Sequence, residues 1–162
     1  MKVICSYCRK ELDDKEPFDD ESVSHGICKA CKDHYMNQIS GLSLDEYLGE
    51  FEVPILMVDQ HSRIIASNKM AEAWTGKSNE EAFGLLGGEV MECQYARLPE
   101  GCGETVHCVA CSIRRTVMAT MESGKTQMLV PVKLMQNDQE IAMTISTEKI
   151  CAFVRIKIEK AG

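Results

Sequence analysis

The chain has 162 residues, 44% hydrophobic and 27% charged, which is ordinary globular composition at a length for one medium domain or two small ones. Its formal charge is −7, with no basic stripe, and this argues against nucleic acid, a polyanion held mainly by clustered Lys and Arg. Apolar runs such as Pro54–Val58 are too short to cross a bilayer, and Met1-Lys2-Val3-Ile4-Cys5 opens no signal peptide, so a cytoplasmic protein without membrane contact is expected. Nine cysteines are many for that compartment, where thiols stay reduced. Grouped in pairs, they read as metal ligands or redox thiols.

The first group is Cys5-x-x-Cys8, nineteen intervening residues, then Cys28-x-x-Cys31. Zinc favours four soft ligands in a tetrahedron, and each pair can wrap two thiolates around one ion. The stretch from Asp13 to Ser24 is acidic and polar, with Pro17 and few apolar residues. Residues 1–40 therefore need a staple, and zinc on Cys5, Cys8, Cys28 and Cys31 supplies it. Reduced thiols or a dithiol switch are the alternative. His25 and His34 flank the second pair, but four cysteines leave no ligand position for them, and both read as surface residues. Residues 9–27 carry three basic and seven acidic side chains. A module of this sign suits protein contact rather than DNA.

Ser43 and Glu46 have capping-box spacing, ahead of Leu44, Tyr47, Leu48 and Phe51 at helical intervals. Residues 41–52 thus form a linker helix ahead of a second domain at 53–162. Val53–Val58 and Arg63–Ser67 read as strands around an Asp59–Ser62 turn. Asn68 caps a helix carrying Met70, Ala71 and Trp74 and closed by Gly76, and Ser78 with Glu81 forms a further capping box. One long helix is expected from Thr105 to Ser123, with the stripe Val106, Val109, Ala110, Ile113, Val117 and Met121. Three alternating strands follow: Met128–Leu134, Ile141–Ile145 and Ile150–Ile158, turning at Asn137-Asp138 and Glu148-Lys149. Strands at both ends with helices between them imply an α+β fold, an antiparallel sheet with helices on one face.

The second cysteine group is Cys93, Cys102, Cys108 and Cys111. On a helix starting near Thr105, Cys108 and Cys111 stand at i and i+3, opposite the apolar stripe and facing the loop that bears Cys93 and Cys102. Pro99 and the Gly101-Cys102-Gly103 bend bring that loop back to the helix end. The helix N-terminus also favours thiolates. Structural zinc, an iron–sulfur cluster, or a metal-free set forming a regulatory disulfide all remain open.

The run Val53–Asp59, then Ile64-Ile65-Ala66-Ser67-Asn68-Lys69-Met70-Ala71-Glu72-Ala73-Trp74-Thr75-Gly76 and Lys77–Gly84, resembles a PAS sensory domain over about Phe51 to Lys160. The resemblance implies a five-stranded antiparallel sheet curled around helices, a pocket for a ligand or cofactor, and signalling without catalysis. The segment from Gly88 to Cys111 resembles a cysteine-bearing insert of certain bacterial PAS domains. The two N-terminal pairs, within Ile4–Lys10 and Ser24–Cys31, resemble small zinc-ribbon-like modules found beside bacterial PAS and histidine-kinase domains.

Other chemistry is excluded or demoted. Ser112 follows Cys111, so covalent haem attachment by CxxCH is missing. The cysteine-centred flavin motif, a Walker loop and G-x-G-x-x-G are also missing. His107 reads as an exposed histidine, Cys151 as a small hydrophobe packed in a strand, the methionines as core fillers, and Arg114 and Arg115 as a solvated helix face.

The expectation is a non-enzymatic sensor that signals through protein association. No kinase, helix-turn-helix or cyclase segment follows Lys160, so the signal is expected to pass to another protein, a sensor kinase or regulator, or to a second copy in a homodimer. The alternatives are an iron–sulfur or dithiol electron-transfer protein and a structural adaptor with two zinc ions.

Overall fold

In the computed structural model, which describes residues 1–12, 22–40 and 44–161, the chain divides into two units, Met1–Glu50 and Phe51–Gly162. The acidic residues 13–21, with Pro17, and the expected Ser43 cap lie outside the described residues.

The first unit opens on β1 (Lys2–Cys5), followed by β2 (Glu11–Leu12), β3 (Val23–Gly26), α1 (Lys29–Ser40) and α2 (Leu44–Gly49). β1 is the central strand, antiparallel to β2 and parallel to β3. α2 packs against α1. Among the described residues, the buried apolar side chains of this unit are Val3, Cys5, Ile27, Cys28, Leu44 and Leu48. Two of the six are cysteines, so hydrophobic burial alone gives this unit little stability.

The second unit is α+β. Its strands are β4 (Ile55–Val58), β5 (Ile64–Ser67), β6 (Gln127–Gln136), β7 (Gln139–Ile150) and β8 (Phe153–Ala161). They pair antiparallel in the order β5-β4-β8-β7-β6. Between β5 and β6 run α3 (Lys69–Thr75), α4 (Asn79–Ala82), α5 (Gly87–Val90) and α6 (Ser112–Ser123). This is the five-stranded antiparallel sheet with helices that the PAS resemblance implied.

Alternation along the strands builds the core. Leu56 and Val58, Val132 and Leu134, Met143 and Ile145, and Val154, Ile156 and Ile158 share one buried cluster. They meet Val90, Met91, Ile113 and Val117 from the helices, because residues two apart on a strand point to the same face.

The expected caps form. Asn68 accepts from Ala71 N at 2.9 Å. The Ser78–Glu81 capping box is complete, and Gly124 ends α6 in the left-handed region.

Two expectations fail. The single helix from Thr105 to Ser123 is instead a 3-10 turn at Cys108–Ala110 followed by α6, with Cys111 as the cap between them. Val106 and Val109, expected on the buried stripe, are 83% and 82% exposed. β-Branched residues, His and Cys between 105 and 111 are poor helix formers. Here the Thr105 hydroxyl accepts from His107 N and contacts Cys108 Sγ, a local bond that competes with the helix.

The last hairpin also turns later than expected. Ile150 pairs with Phe153, which places Cys151-Ala152 in the turn, and Cys151 is exposed at φ 54°. Glu148 stays in the ladder opposite Arg155 and bonds it at 2.6 Å.

Asn68 is the joint between the first strand and the helices. Its Oδ1 accepts from Ile55 N at 3.0 Å as well as from Ala71 N, and its Nδ2 donates to Val53 O at 2.8 Å. Asn68→Ala should remove the cap and leave the buried Ile55 N–H and the half-buried Val53 carbonyl without this partner, lowering stability by about 2–3 kcal/mol. Urea unfolding followed by circular dichroism measures this, and an unchanged midpoint would show that the joint is dispensable.

Candidate metal centres

The first cysteine set is assembled by backbone geometry. Cys5 ends β1, Cys8 lies in the turn after it, and Cys28 and Cys31 sit at the start of α1. Cys5 pairs with Gly26 across β1 and β3, which sets the Cys28 turn beside it. Arg9 N donates to Cys5 O at 3.0 Å and Cys5 N to Lys10 O at 2.9 Å, so the Cys5–Cys8 turn closes on itself.

All four sulfurs lie within 4.8 Å of one another, and Cys8 and Cys28 Sγ are 3.6 Å apart. Four thiolates at 2.3 Å around one tetrahedral ion stand about 3.8 Å from each other. The set fits one metal ion. Among the described residues it is the one group of three or more ligating side chains gathered this tightly. His25 and His34 are not members of it.

Electrostatics agree with that geometry. Burial pushes the Cys5 thiol up, but backbone N–H groups of Cys8, Cys28 and Tyr7 outweigh it and bring Cys5 down to about 6. Desolvation and the neighbouring Cys28, Cys8 and Cys5 sulfurs push Cys31 up to about 12. Four thiolates this close cannot all ionise without a cation between them.

The second set is built differently. Cys93 caps a 3-10 turn at Gln94–Arg97, and its N–H donates to Gly88 O at 2.8 Å. Cys102 sits between Gly101 and Gly103, Cys108 begins the second 3-10 turn, and Cys111 caps α6 by accepting from Arg114 N at 3.5 Å. Cys108 and Cys111 are thus not one helical pair, yet all four cysteines line one cavity of about 520 Å³. The cavity is closed on its apolar side by Val58, Met91, Ile113, Val117, Leu134 and Ile156.

The four sulfurs sit in unlike surroundings. Burial pushes the Cys102 thiol up, aided by the charges of Cys108, Cys93 and Cys111, against a bond from the Gly88 backbone. Burial also raises Cys108, but the Thr105 hydroxyl, the Thr105 and Gly103 backbone and the Arg114 guanidinium outweigh it and pull that thiol down. Gly103 N reaches Cys108 Sγ at 3.1 Å and the Thr105 hydroxyl reaches it at 3.2 Å. His107 is exposed and stacks on Tyr95 with ring centroids 3.9 Å apart.

Three residues of this site escaped the sequence reading. Arg114 is half-buried rather than solvated, and its guanidinium covers Gly103, where a Cβ would lie 2.2 Å from Nη1 at a φ of +89°. Thr105 is buried and bonded to Cys108. Gly88 lets Cys102 approach its backbone, because a Cβ there would stand 2.7 Å from Cys102 Sγ. The signal that could have found Gly88 is the adjacent Gly87-Gly88 pair, since glycine permits a close approach to its backbone.

No family model and no curated protein matches the chain. Among solved structures, it is similar to the PAS domain of the Cronobacter turicensis RpfR quorum-sensing receptor in complex with BDSF. That match is 16% identical, covers 66% of this chain and 91% of that one, and has a TM-score of 0.46. It is similar to the photoactive yellow protein domain of the sensor histidine kinase Ppr from Rhodospirillum centenum, at 17% identity, 76% and 97% coverage and a TM-score of 0.47. It is also similar to a PAS domain from Colwellia psychrerythraea, at 18% identity, 69% and 89% coverage and a TM-score of 0.45.

The adjacent glycines provide a matched test of the second site. A Cβ on Gly87 would meet Met91 Cε at 3.5 Å, an ordinary contact, whereas one on Gly88 collides with Cys102 Sγ. Gly88→Ala should cost about 1–3 kcal/mol through overpacking and should make Cys102 more reactive to a thiol-alkylating reagent. Gly87→Ala should leave both properties near wild type. Equal alkylation of Cys102 in the two variants would mean that the Gly88 contact does not hold this cysteine.

Proposed function

We propose that the chain is a non-catalytic, cytoplasmic sensor in which a zinc-stapled module, residues 1–40, is joined through residues 41–52 to a PAS-like domain, 53–162. In this reading the second site, Cys93, Cys102, Cys108 and Cys111, is the sensing element, and its metal or redox state controls protein association. The observation that carries this reading is the convergence of four cysteines, spread over residues 93–111, on one cavity at the start of α6.

Zinc suits the first set because its four sulfurs lie at the spacing of a closed thiolate tetrahedron. For the second set the donors fit either a second zinc or an iron–sulfur cluster, both of which take four thiolates. When bound, that group would hold the loop between Met91 and Glu104 against the start of α6. The protein's own part is to present the sulfurs, with Gly88 and Gly103 N–H groups and Arg114 beside them.

A route from this site to a partner is available on the same loop. Val106 and Val109 flank Cys108 and are almost fully exposed. Paired exposed apolar residues are a feature of association surfaces. The partner is a sensor kinase, a regulator or a second copy of this chain.

Two experiments test the two halves of the reading. Cys28→Ser should expose residues 1–40 to protease while leaving the second unit folded, because metal binding there supplies folding free energy. Persistence of that segment in chelator would end the zinc-staple reading. Cys102→Ser and Cys108→Ser should lose the same equivalent of metal, or block the same disulfide, and their stability effects should be non-additive by about 0.5–3 kcal/mol. Hydrogen exchange should localise both to residues 88–124. Val106→Asp should retain the metal and weaken association. A site that loads normally while association never follows its state would reduce it to a structural clip.

A further inference from the structure

The two cysteine sets differ in size, and the difference bears on what each can hold. In the first, every sulfur lies within 4.8 Å of the others. The second four do not form a comparably tight group among the described residues, and instead border a cavity of about 520 Å³. A single zinc needs all four thiolates about 3.8 Å apart. A cluster of several irons bridged by sulfide carries the same four cysteine ligands on its periphery and holds them further from one another.

From this difference we infer that the second set takes an iron–sulfur cluster, ligated by Cys93, Cys102, Cys108 and Cys111, while the first set takes the single ion. The inference rests on the four-cysteine site of the proposed function and assigns its cofactor. The cysteines come from four separate local structures: the cap of one 3-10 turn, a glycine-flanked bend, the start of a second 3-10 turn and the cap of α6. Ligands from four separate local structures suit a polynuclear group better than two short knuckles would.

The rest of the wall has the properties such a cluster requires. Backbone N–H groups of Gly88, Gly103 and Arg114 point at Cys102, Cys108 and Cys111 in turn. N–H donors to cysteine sulfur stabilise the thiolates and tune a cluster's potential. Six apolar side chains of the core line its inner side. Arg114 lies over Gly103, close enough to bear on Cys108, and a cation there offsets the net negative charge of a four-thiolate cluster. An Arg at that place has a defined effect on potential, since a nearby positive charge favours the form carrying the extra electron.

The test is competitive loading of the full chain under anaerobic conditions, with ferrous and ferric iron in equal amounts, sulfide and zinc present together, each at saturating amounts. Iron and acid-labile sulfide should be incorporated together with a broad visible absorption, while one equivalent of zinc remains on the first set. Cys102→Ser and Cys108→Ser should lose the iron and sulfide, and Cys5→Ser should retain them. Arg114→Gln should retain the cluster and lower its reduction potential, a shift that a purely structural arginine would not give. Occupation of the second set by zinc to the exclusion of iron would overturn the cluster but leave the shared site standing. Metal content unchanged by Ser at any of the four positions would overturn the site itself. The wild-type competition needs no variant, so misfolding of a serine substitution leaves the test intact.

Discussion

The beginning of α6 is fixed by a sulfur atom, and the second unit is organised around that constraint. Cys111 Sγ accepts from Arg114 N in the position a Ser or Asp oxygen usually fills. The same sulfur borders the cavity shared with Cys93, Cys102 and Cys108. A helix cap and a cavity-lining sulfur therefore coincide in one atom. Any change in what that sulfur bonds to is felt by the first turn of the helix, whose orphan N–H groups have few other partners.

α6 is in turn held to the sheet at both ends. Near its start, Ser112 Oγ accepts from Lys133 N on β6 at 3.0 Å. Toward its end, Thr120, fully buried, meets Thr147 of β7 at 2.6 Å, and Gln127 donates to Thr120 Oγ1 and Thr116 O at 3.0 Å. Ile113 and Val117 fill the space between. Buried hydroxyl networks of this kind fix one arrangement of helix on sheet, because a displaced helix would leave polar groups unpaired. The helix is consequently a stiff connection between the cysteine site and β6 and β7.

Much of this was legible in the sequence, and the parts that were not share a cause. Alternation in Val132, Leu134, Met143, Ile145, Val154, Ile156 and Ile158 identified core strands, because burial on one face enforces period two. Asn68, Ser78 and Gly124 announced their caps, since each satisfies a local backbone need. The pairing of Cys5, Cys8, Cys28 and Cys31 was readable because ligand spacing within each pair is local.

The misplaced helix start had another source. Apolar spacing at Val106 and Val109 matched a helix, but Thr105, Gly103 and Cys108 bond among themselves instead. Arg114 and Gly88 were missed because their role exists only where the loop folds back over them. The last turn slid to Cys151 because Glu148 gains a ladder position opposite Arg155, and no local signal encodes a cross-strand ion pair.

The two cysteine sets show how one residue type serves two purposes in one chain. Around Cys5 and Cys28 there is little apolar material to bury, and the sulfurs close on one another where a core would otherwise be needed. Around Cys111 the core is already supplied by the sheet and α6, so a site there is not required to hold the fold together. Charge follows the same division. In the first set backbone N–H groups bring Cys5 down while burial and the neighbouring sulfurs push Cys31 up, and a single central cation would let all four ionise. In the second, N–H groups, a hydroxyl and Arg114 are distributed around sulfurs that line a cavity. The two sets thus differ in what the fold asks of them: the first stands where a core is missing, the second where the core is complete.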